Sequence, residues 1–563
     1  MGFSFKGLVD KQTHEVSTLS DVSDMEKQDV RTKVLDKGEQ DMYEYSQSQS
    51  HSPTPGGSEK YEPRTFLDEA EDDLYAVESA VEAKLSWFNR LAIAMKAETK
   101  GIEPVTEEER NPDESVVNAA SMWFSANMVI AAYSLGGLGP MIYNLNFGTS
   151  VLVIVFFNIL GLLPVAYFSV FGCELGLRQM VLSRYLLGNV TARIFALINV
   201  IACVGWGIVN TVSSAQLLNM VNNESGHACP LWAGCLVIVG GTVCVTFFGY
   251  TVIHQYEKWS WVPNFAVFLV IIARLAKSHK FIGGEWTSGP TTAGNVLSFG
   301  CTVYGFATGW TTYAADYTVY MPKNTNKYKI FFSLVAGLSF PLFFTMILGA
   351  ASAMGAVSDP VWGQYYKENS IGGLTYAILV PNSLHGFGQF CCVILALSTI
   401  ANNVPNMYTI ALSVQAMWEP FTKVPRVVWT LAGNAATVGI AIPACYYFDS
   451  FMQNFMDTIG YYLAIYTGIA LSEHFIYRRN SFASYNIDEW NDNSKLPIGI
   501  AGTCALIVGA FGVALGMCQT YWVGEISRLI GKYGGDIGFE LGMSWAIITY
   551  NVIRPFEIKY FGR

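Results

Sequence analysis

The stretch LSTIANNVPN, residues 397–406, sets Asn402 and Asn406 four positions apart, with Pro405 between them, in an otherwise apolar run. A second pair, Trp206 and Asn210, has the same spacing within ACVGWGIVNTVSSAQ, residues 202–216. A spacing of four places both members of a pair on one face of a helix. A further indole, Trp310, follows Gly309 in a glycine-rich apolar segment. None of these side chains is a nucleophile, acid or base, so the chemistry on offer is recognition. Indole faces stack on flat rings, and amides supply the paired donor and acceptor that match the edge of a heterocycle. With no arginine nearby to clamp a carboxylate or phosphate, the set suits a neutral planar solute. Two plainer readings stand beside this one: tryptophans of an interfacial belt and asparagines that hydrogen-bond between helices.

Other chemistries lack their residues. There is no phosphate-cradling glycine loop with a basic residue, no nucleophile elbow and no HExxH. The eleven cysteines are scattered without metal-ligand spacing and read as small buried apolar groups. The chain is therefore expected to be neither an enzyme nor a holder of a metal or organic cofactor.

The elements that would position the indoles and amides belong in a lipid bilayer. Of 563 residues, 52% are hydrophobic and only 14% charged, against roughly 25% charged in soluble domains. The polar residues concentrate in residues 1–114, rich in Ser, Glu, Asp, Gln and Pro, which are expected to form a largely disordered cytosolic tail. Within it, helical spacing of Val77, Val81, Leu85, Phe88 and Leu91 suggests one short amphipathic helix. The chain start lacks the pattern of a cleaved signal peptide, so the first span is expected to act as anchor. The net charge of −10 then reflects the tail rather than a partner, and nothing points to nucleic acid.

Residues 115–556 read as the membrane domain, followed by a short cytosolic tail, 557–563. A span takes roughly 20 apolar residues. Twelve runs qualify, near 118–143, 149–173, 192–220, 230–252, 260–275, 295–318, 330–356, 372–415, 426–447, 454–476, 496–522 and 536–555. With an inner N-terminus, loops assigned inside carry twelve Lys and Arg and those outside carry six, as the positive-inside rule requires. The loop with Arg274, Lys277 and Lys280 breaks the rule locally. Helix breakers fall at matching places: SANMVIAAYSLGGLGPM in the first run and FGCTVYGFATGW in the sixth. Interrupted helices at the start of two five-helix repeats mark a midplane binding site in secondary transporters. An all-α integral membrane fold follows, with a five-plus-five inverted repeat, broken helices one and six, and two added spans.

These residues also carry a family resemblance. VNAASMWFSANMVI (117–130), ARIFALINVIACVGWGIVNTVSSAQLLNMV (192–221), GWTTYAADYTVYMP (309–322), LALSTIANNVPNMYT (395–409) and EISRLIGKYGGDIGFELGMSW (525–545) resemble the yeast purine-cytosine permeases of the nucleobase-cation symporter family. The resemblance runs from about Leu85 to the C-terminus. It implies a plasma-membrane protein with the LeuT-type repeat, importing adenine, guanine, hypoxanthine and cytosine with protons. By position it puts substrate contacts on Ser125, Trp206, Asn210, Trp310, Asn402 and Asn406. The two indoles would sandwich the ring, Asn210 and Asn406 would read its edge, and Asn402 would orient the site.

Coupling is less legible, because acidic residues deep in the spans are scarce. Asp316 is the first candidate for the proton, with Glu174 and Asp457 near span ends as others. Ser398 and Thr399, with carbonyls freed by the break in span one, could instead bind sodium. Lys27 and Lys33 among acidic neighbours resemble a segment that kinases and a ubiquitin ligase act upon. A paralogue with a vitamin or nucleoside substrate, or a transport-inactive sensor, is the alternative reading.

Overall fold

The computed structural model describes residues 101–223, 226–247, 256 and 258–563. The helix expected over residues 77–91, and the tail before it, lie outside these residues. The described chain is helical: α1 (Val116–Asn127), α2 (Ile130–Met141), α3 (Phe147–Leu175), α4 (Gln179–Leu187), α5 (Asn189–Met220), α6 (Leu231–Phe247), α7 (Trp261–Ser278), α8 (Pro290–Thr308), α9 (Lys327–Ser358), α10 (Pro360–Leu379), α11 (Gly386–Met417), α12 (Arg426–Ala444), α13 (Phe448–Ser472), α14 (Ile500–Gly516) and α15 (Gly538–Phe561). Among the described residues, six segments are long and apolar enough to cross a membrane: α3, α5, α7, α9, α11 and the continuous Arg426–Tyr477 stretch that holds α12 and α13. The pair α1 and α2, bent by 55°, makes a seventh as one broken span. The remaining helices are shorter or more polar.

Several boundaries differ from the sequence expectation. Residues 101–114, read as tail, pack on the helices: Ile102 and Val105 are buried, and Val105 N–H donates to Gly176 O at 2.9 Å. The last helix runs to Phe561, through most of the expected terminal tail. The run 372–415 divides into α10 and α11, separated by a break in which Asn382 and His385 take positive φ. The sequence marks this break by Pro381, Asn382, Ser383, His385 and Gly386 between two apolar stretches.

Both expected interruptions are present. Span one stops at Asn127 and restarts at Ile130, with Met128 and Val129 outside helical geometry. Span six leaves α-helix at Thr308 and continues as two 3₁₀ turns, Gly309–Thr312 and Ala314–Tyr317. Around these breaks, α5 packs against α11, α2 and α3 against α9, and α8 against α3 and α13. The α2–α9 approach is backbone to backbone: a Cβ on Gly136 would lie 1.9 Å from Met346 O, and one on Gly349 2.0 Å from Tyr133 O. Small residues are what let helices close up where no hydrophobic effect drives them together.

The last helices are fastened by charge. Arg554 of α15 donates to Glu473, just beyond α13, through Nε at 3.0 Å and Nη2 at 3.1 Å. Tyr550 OH adds 2.9 Å, and Arg478 Nε lies 3.3 Å from the same carboxylate. Glu557 accepts from Gly499 N and Ala501 N at the start of α14, as expected for an anion at a helix N-terminus. Glu473 and Arg554 are both almost wholly buried, so replacing Arg554 leaves Glu473 with Arg478 alone as its cation, at a cost of about 3 kcal/mol. Arg554→Met is expected to lower the melting temperature of the detergent-solubilised protein by several degrees; an unchanged melt would show that this cluster does not hold α13 to α15.

Candidate functional site

The two predicted indoles meet. Trp206 of α5 and Trp310 of the first 3₁₀ turn lie nearly parallel, 13° apart, with ring centroids at 6.0 Å. Trp206 can take this place because residue 309 has no side chain: a Cβ there would sit 2.3 Å from Trp206 Cζ2. Phe306 and Phe455 close on Trp206 edge-on at 5.1 and 5.7 Å. On Trp310, the indole N–H donates to Asn127 Oδ1 at 3.1 Å, and the Asn127 amide donates to Trp123 O at 2.8 Å. Trp123 itself lies edge-on to Trp310, with centroids 5.0 Å apart. Sequence reasoning missed Trp123 and Asn127; an indole and an amide near the start of a span look like interfacial residues until the neighbouring break is seen.

The amides form a directed chain. Asn402 Nδ2 donates to Ala126 O, a carbonyl at the break in span one, at 2.5 Å. That leaves Asn402 Oδ1 as acceptor for Asn210 Nδ2 at 2.7 Å, and Asn210 also donates to Asn403 Oδ1 at 2.9 Å. Asn406 Nδ2 donates to Asn402 O at 3.0 Å. Since a backbone carbonyl can only accept, each amide's orientation is fixed in turn. The chain ends in oxygens: Asn210 Oδ1 and Asn406 Oδ1 are buried with no partner, as are Ser125 Oγ and the Trp123 indole N–H. Asn403, beside Asn402 in the same motif, was not singled out because it lies off the i, i+4 face. All six residues expected to contact substrate are at most 2% exposed, so they lie enclosed within the protein.

The whole arrangement can be compared with known proteins. A family model described as permease for cytosine/purines, uracil, thiamine, allantoin matches residues 104–524. The chain belongs to this permease family. It is 72% identical over 536 residues to the purine-cytosine permease FCY2 of Saccharomyces cerevisiae, covering 94% of this chain and 100% of that one. It is 29% identical over 530 residues to the vitamin B6 transporter TPN1 of the same organism, covering 85% and 91%. Among solved structures, MHP1, a nucleobase-cation-symport-1 family transporter in a closed conformation, matches with TM-score 0.60 at 14% identity, covering 82% and 95%. The permease is thus a multi-pass membrane transport protein with the MHP1 fold, and not an enzyme.

Other permease residues singled out from sequence lie apart from the indole pair. Asp316 Oδ1 accepts from Gln179 N at 2.7 Å, and its backbone oxygen accepts from Arg178 Nη1 at 2.9 Å. Gln179 Oε1 in turn takes Ala315 N–H at 3.1 Å. Asp316 therefore ties the end of span six to the first turn of α4. Glu174 is half-buried in the last turn of α3. Ser398 Oγ accepts from Ile130 N at 3.1 Å and donates to Leu395 O, while Thr399 Oγ1 bonds Ser214 Oγ at 2.7 Å.

A flat ring held between two indoles needs about 7 Å between their planes, two carbon contact distances, so a sandwich at Trp206 and Trp310 requires the rings to part from their 6.0 Å spacing. Gly309→Ala pushes Trp206 out of line and is expected to weaken apparent substrate affinity about tenfold, corresponding to about 1.4 kcal/mol, with surface level unchanged. Saturation kinetics of uptake checks it; an unaltered KM would mean that the indole position does not matter.

Proposed function

We propose that this permease imports purine bases (adenine, guanine and hypoxanthine) and cytosine across the plasma membrane, driven by protons. What carries the reading is the pair of parallel indoles beside buried amide oxygens that lack partners. Unfilled acceptors call for a ligand with N–H donors on its edge, and the hydroxyl of Ser125 can serve an acceptor or a donor. Nucleobases have that edge and a face to stack; a buried site with unmet acceptors rejects solutes that cannot meet them. The 72% identity to a permease named for purines and cytosine supports the same class. A nucleoside would need ribose space beside two indoles that nearly touch.

Twelve spans in two five-helix repeats plus two, with both termini cytosolic, is the topology that fits the Lys and Arg distribution. Protons are favoured over sodium because the hydroxyls of Ser398 and Thr399 are taken by partners within the protein. The family's 29% identical vitamin B6 transporter keeps a second reading in view, since a pyridine ring is also flat and polar-edged. The tail holding Lys27 and Lys33 is the segment for kinase and ubiquitin-ligase contacts that govern turnover; removing the first 60 residues should slow endocytosis, and an unchanged surface half-life would dismiss that role.

Uptake of labelled adenine and cytosine in cells lacking their own permeases tests the substrate and the driving force. Uptake is expected to rise at acid pH, to collapse with a protonophore and to be blocked by purines and cytosine but not by pyridoxine, uracil or adenosine. No uptake despite surface expression would favour a transport-inactive sensor. Asn406→Ala is expected to lower uptake about a hundredfold or more at normal surface level; normal uptake would remove the α11 amides from the site.

A further inference from the structure

A second buried polar centre lies away from the indoles, where α2, α8, α13 and the 517–537 loop meet. Asp457 of α13 and Asp536, ahead of α15, are both 0% exposed, and one amide joins them. Gln519 Nε2 lies 2.8 Å from Asp457 Oδ2 and 3.3 Å from Asp536 Oδ2. It also reaches Tyr461 OH at 2.6 Å, which donates to Asp536. Asp536 further accepts from Cys518 N at 2.6 Å and Gly538 N at 2.9 Å. The titratable groups facing the pair are Tyr143 beyond α2, Cys301 of α8, Tyr461 of α13, Cys518 and Glu540. No lysine, arginine or histidine side chain is hydrogen-bonded to either carboxyl among the described residues.

Two negative charges in a dry site without a cation repel, and a single shared proton removes the conflict. An independent observation shows where that proton is wanted. Gln519 is 4% exposed, and its Oε1 is buried with no donor. Nε2 faces both carboxyls as a donor to ionised oxygens; with the amide turned over, Oε1 takes that place and a carboxylic acid O–H at Asp457 or Asp536 supplies the missing donor. Gln519 also lines a cavity of about 400 Å³ that opens to the surface, together with Thr520, Trp522, Arg528, Lys532 and Tyr533. Water in that cavity can deliver a proton to the amide's neighbours; at its rim Arg528 is paired with Glu525 at 3.1 Å.

The centre is wired to the moving parts. Thr302 Oγ1 of α8 donates to Asp457 Oδ1 at 2.7 Å and lies 2.7 Å from Tyr143 OH, just past the end of broken span one. Ser298 O, 3.2 Å away, is the alternative acceptor for the Thr302 hydroxyl. When Asp457 carries a proton it can donate to Thr302, whose single hydrogen then turns either to Ser298 O, leaving Tyr143 as donor, or to Tyr143 OH, reversing that bond. Charge at Asp457 is thereby communicated to both interrupted spans.

We propose that Asp457 and Asp536, bridged by Gln519, form the binding site of the transported proton, reached from the surface through the cavity at Gln519. The inference rests on the proton-driven reading above. The proton comes from cavity water, resides on the carboxyl pair and leaves as the carrier turns over, with no other bond made or broken.

The test uses the full-length protein in cells without their own permeases, comparing accumulation at two external pH values with exchange of labelled for unlabelled base. Asp457→Asn and Asp536→Asn are expected to retain exchange, but to drop accumulation from several hundredfold, the reach of one proton at about 100 mV and one pH unit, to about unity. Their pH dependence should vanish. Either variant still accumulating base with wild-type pH dependence would overturn the proposal. If the asparagine variants fail to reach the surface, Thr302→Val and Gln519→Glu keep both carboxyls. A shifted pH midpoint in them supports the site, and an unshifted one overturns it. A wild-type protein whose accumulation ignores pH and protonophore, or follows sodium, would instead refute proton coupling itself.

Discussion

Opening a helix inside a bilayer strands peptide groups that water cannot satisfy, and this chain meets that constraint by stapling the break in span one to α11 on both sides. Asn402 donates to Ala126 O before the break, and Ser398 accepts from Ile130 N after it. Without these two bonds the gap at Met128 and Val129 would leave unpaired groups, each costing several kcal/mol in hydrocarbon. Everything at the indole site follows from this staple. Fixing Ala126 O to Asn402 sets the direction of the amide chain, the direction leaves Asn210 Oδ1 and Asn406 Oδ1 open, and the open oxygens define what edge a ligand must present. The polar residues that look out of place in LSTIANNVPN are therefore doing two jobs at once, mending a backbone and exposing acceptors.

On the proposed reading the two centres would divide the labour of a coupled carrier. The indole and amide centre holds no charge, so it can release a neutral ring without stripping an ion of its partner. The carboxyl centre holds charge and no ring-sized face. They are joined through span six, which contributes Trp310 after its break and Thr302 before it. One element touching both sites is the minimum that thermodynamic coupling needs, because a ligand shifts an equilibrium only by what it gains differently in the two states.

Much of this was readable from the sequence. The breaks in spans one and six and the two i, i+4 faces came from glycine placement and helical spacing, and the pairing of Trp206 with Trp310 from the family resemblance. What escaped did so for definite reasons. Trp123 and Asn127 sit where interfacial residues also sit, and Asn403 lies off the face that spacing selects. The gap between α10 and α11 is short, and its Pro381, Asn382, Ser383, His385 and Gly386 are diluted when hydropathy is averaged over a span-length window. Asp457 and Asp536 are 79 positions apart, and no local pattern can pair them. Asp316, which does look like a buried acid, is consumed by the N-terminus of α4.

The near-parallel contact of Trp206 and Trp310 at 6.0 Å makes ring entry a mechanical event. Trp206 belongs to α5 and Trp310 to the turn beyond the break in span six. Parting the two faces to about 7 Å therefore moves one element against the other. A flat ring between them would act as a wedge, turning the thickness of one aromatic layer into a displacement of whole helices.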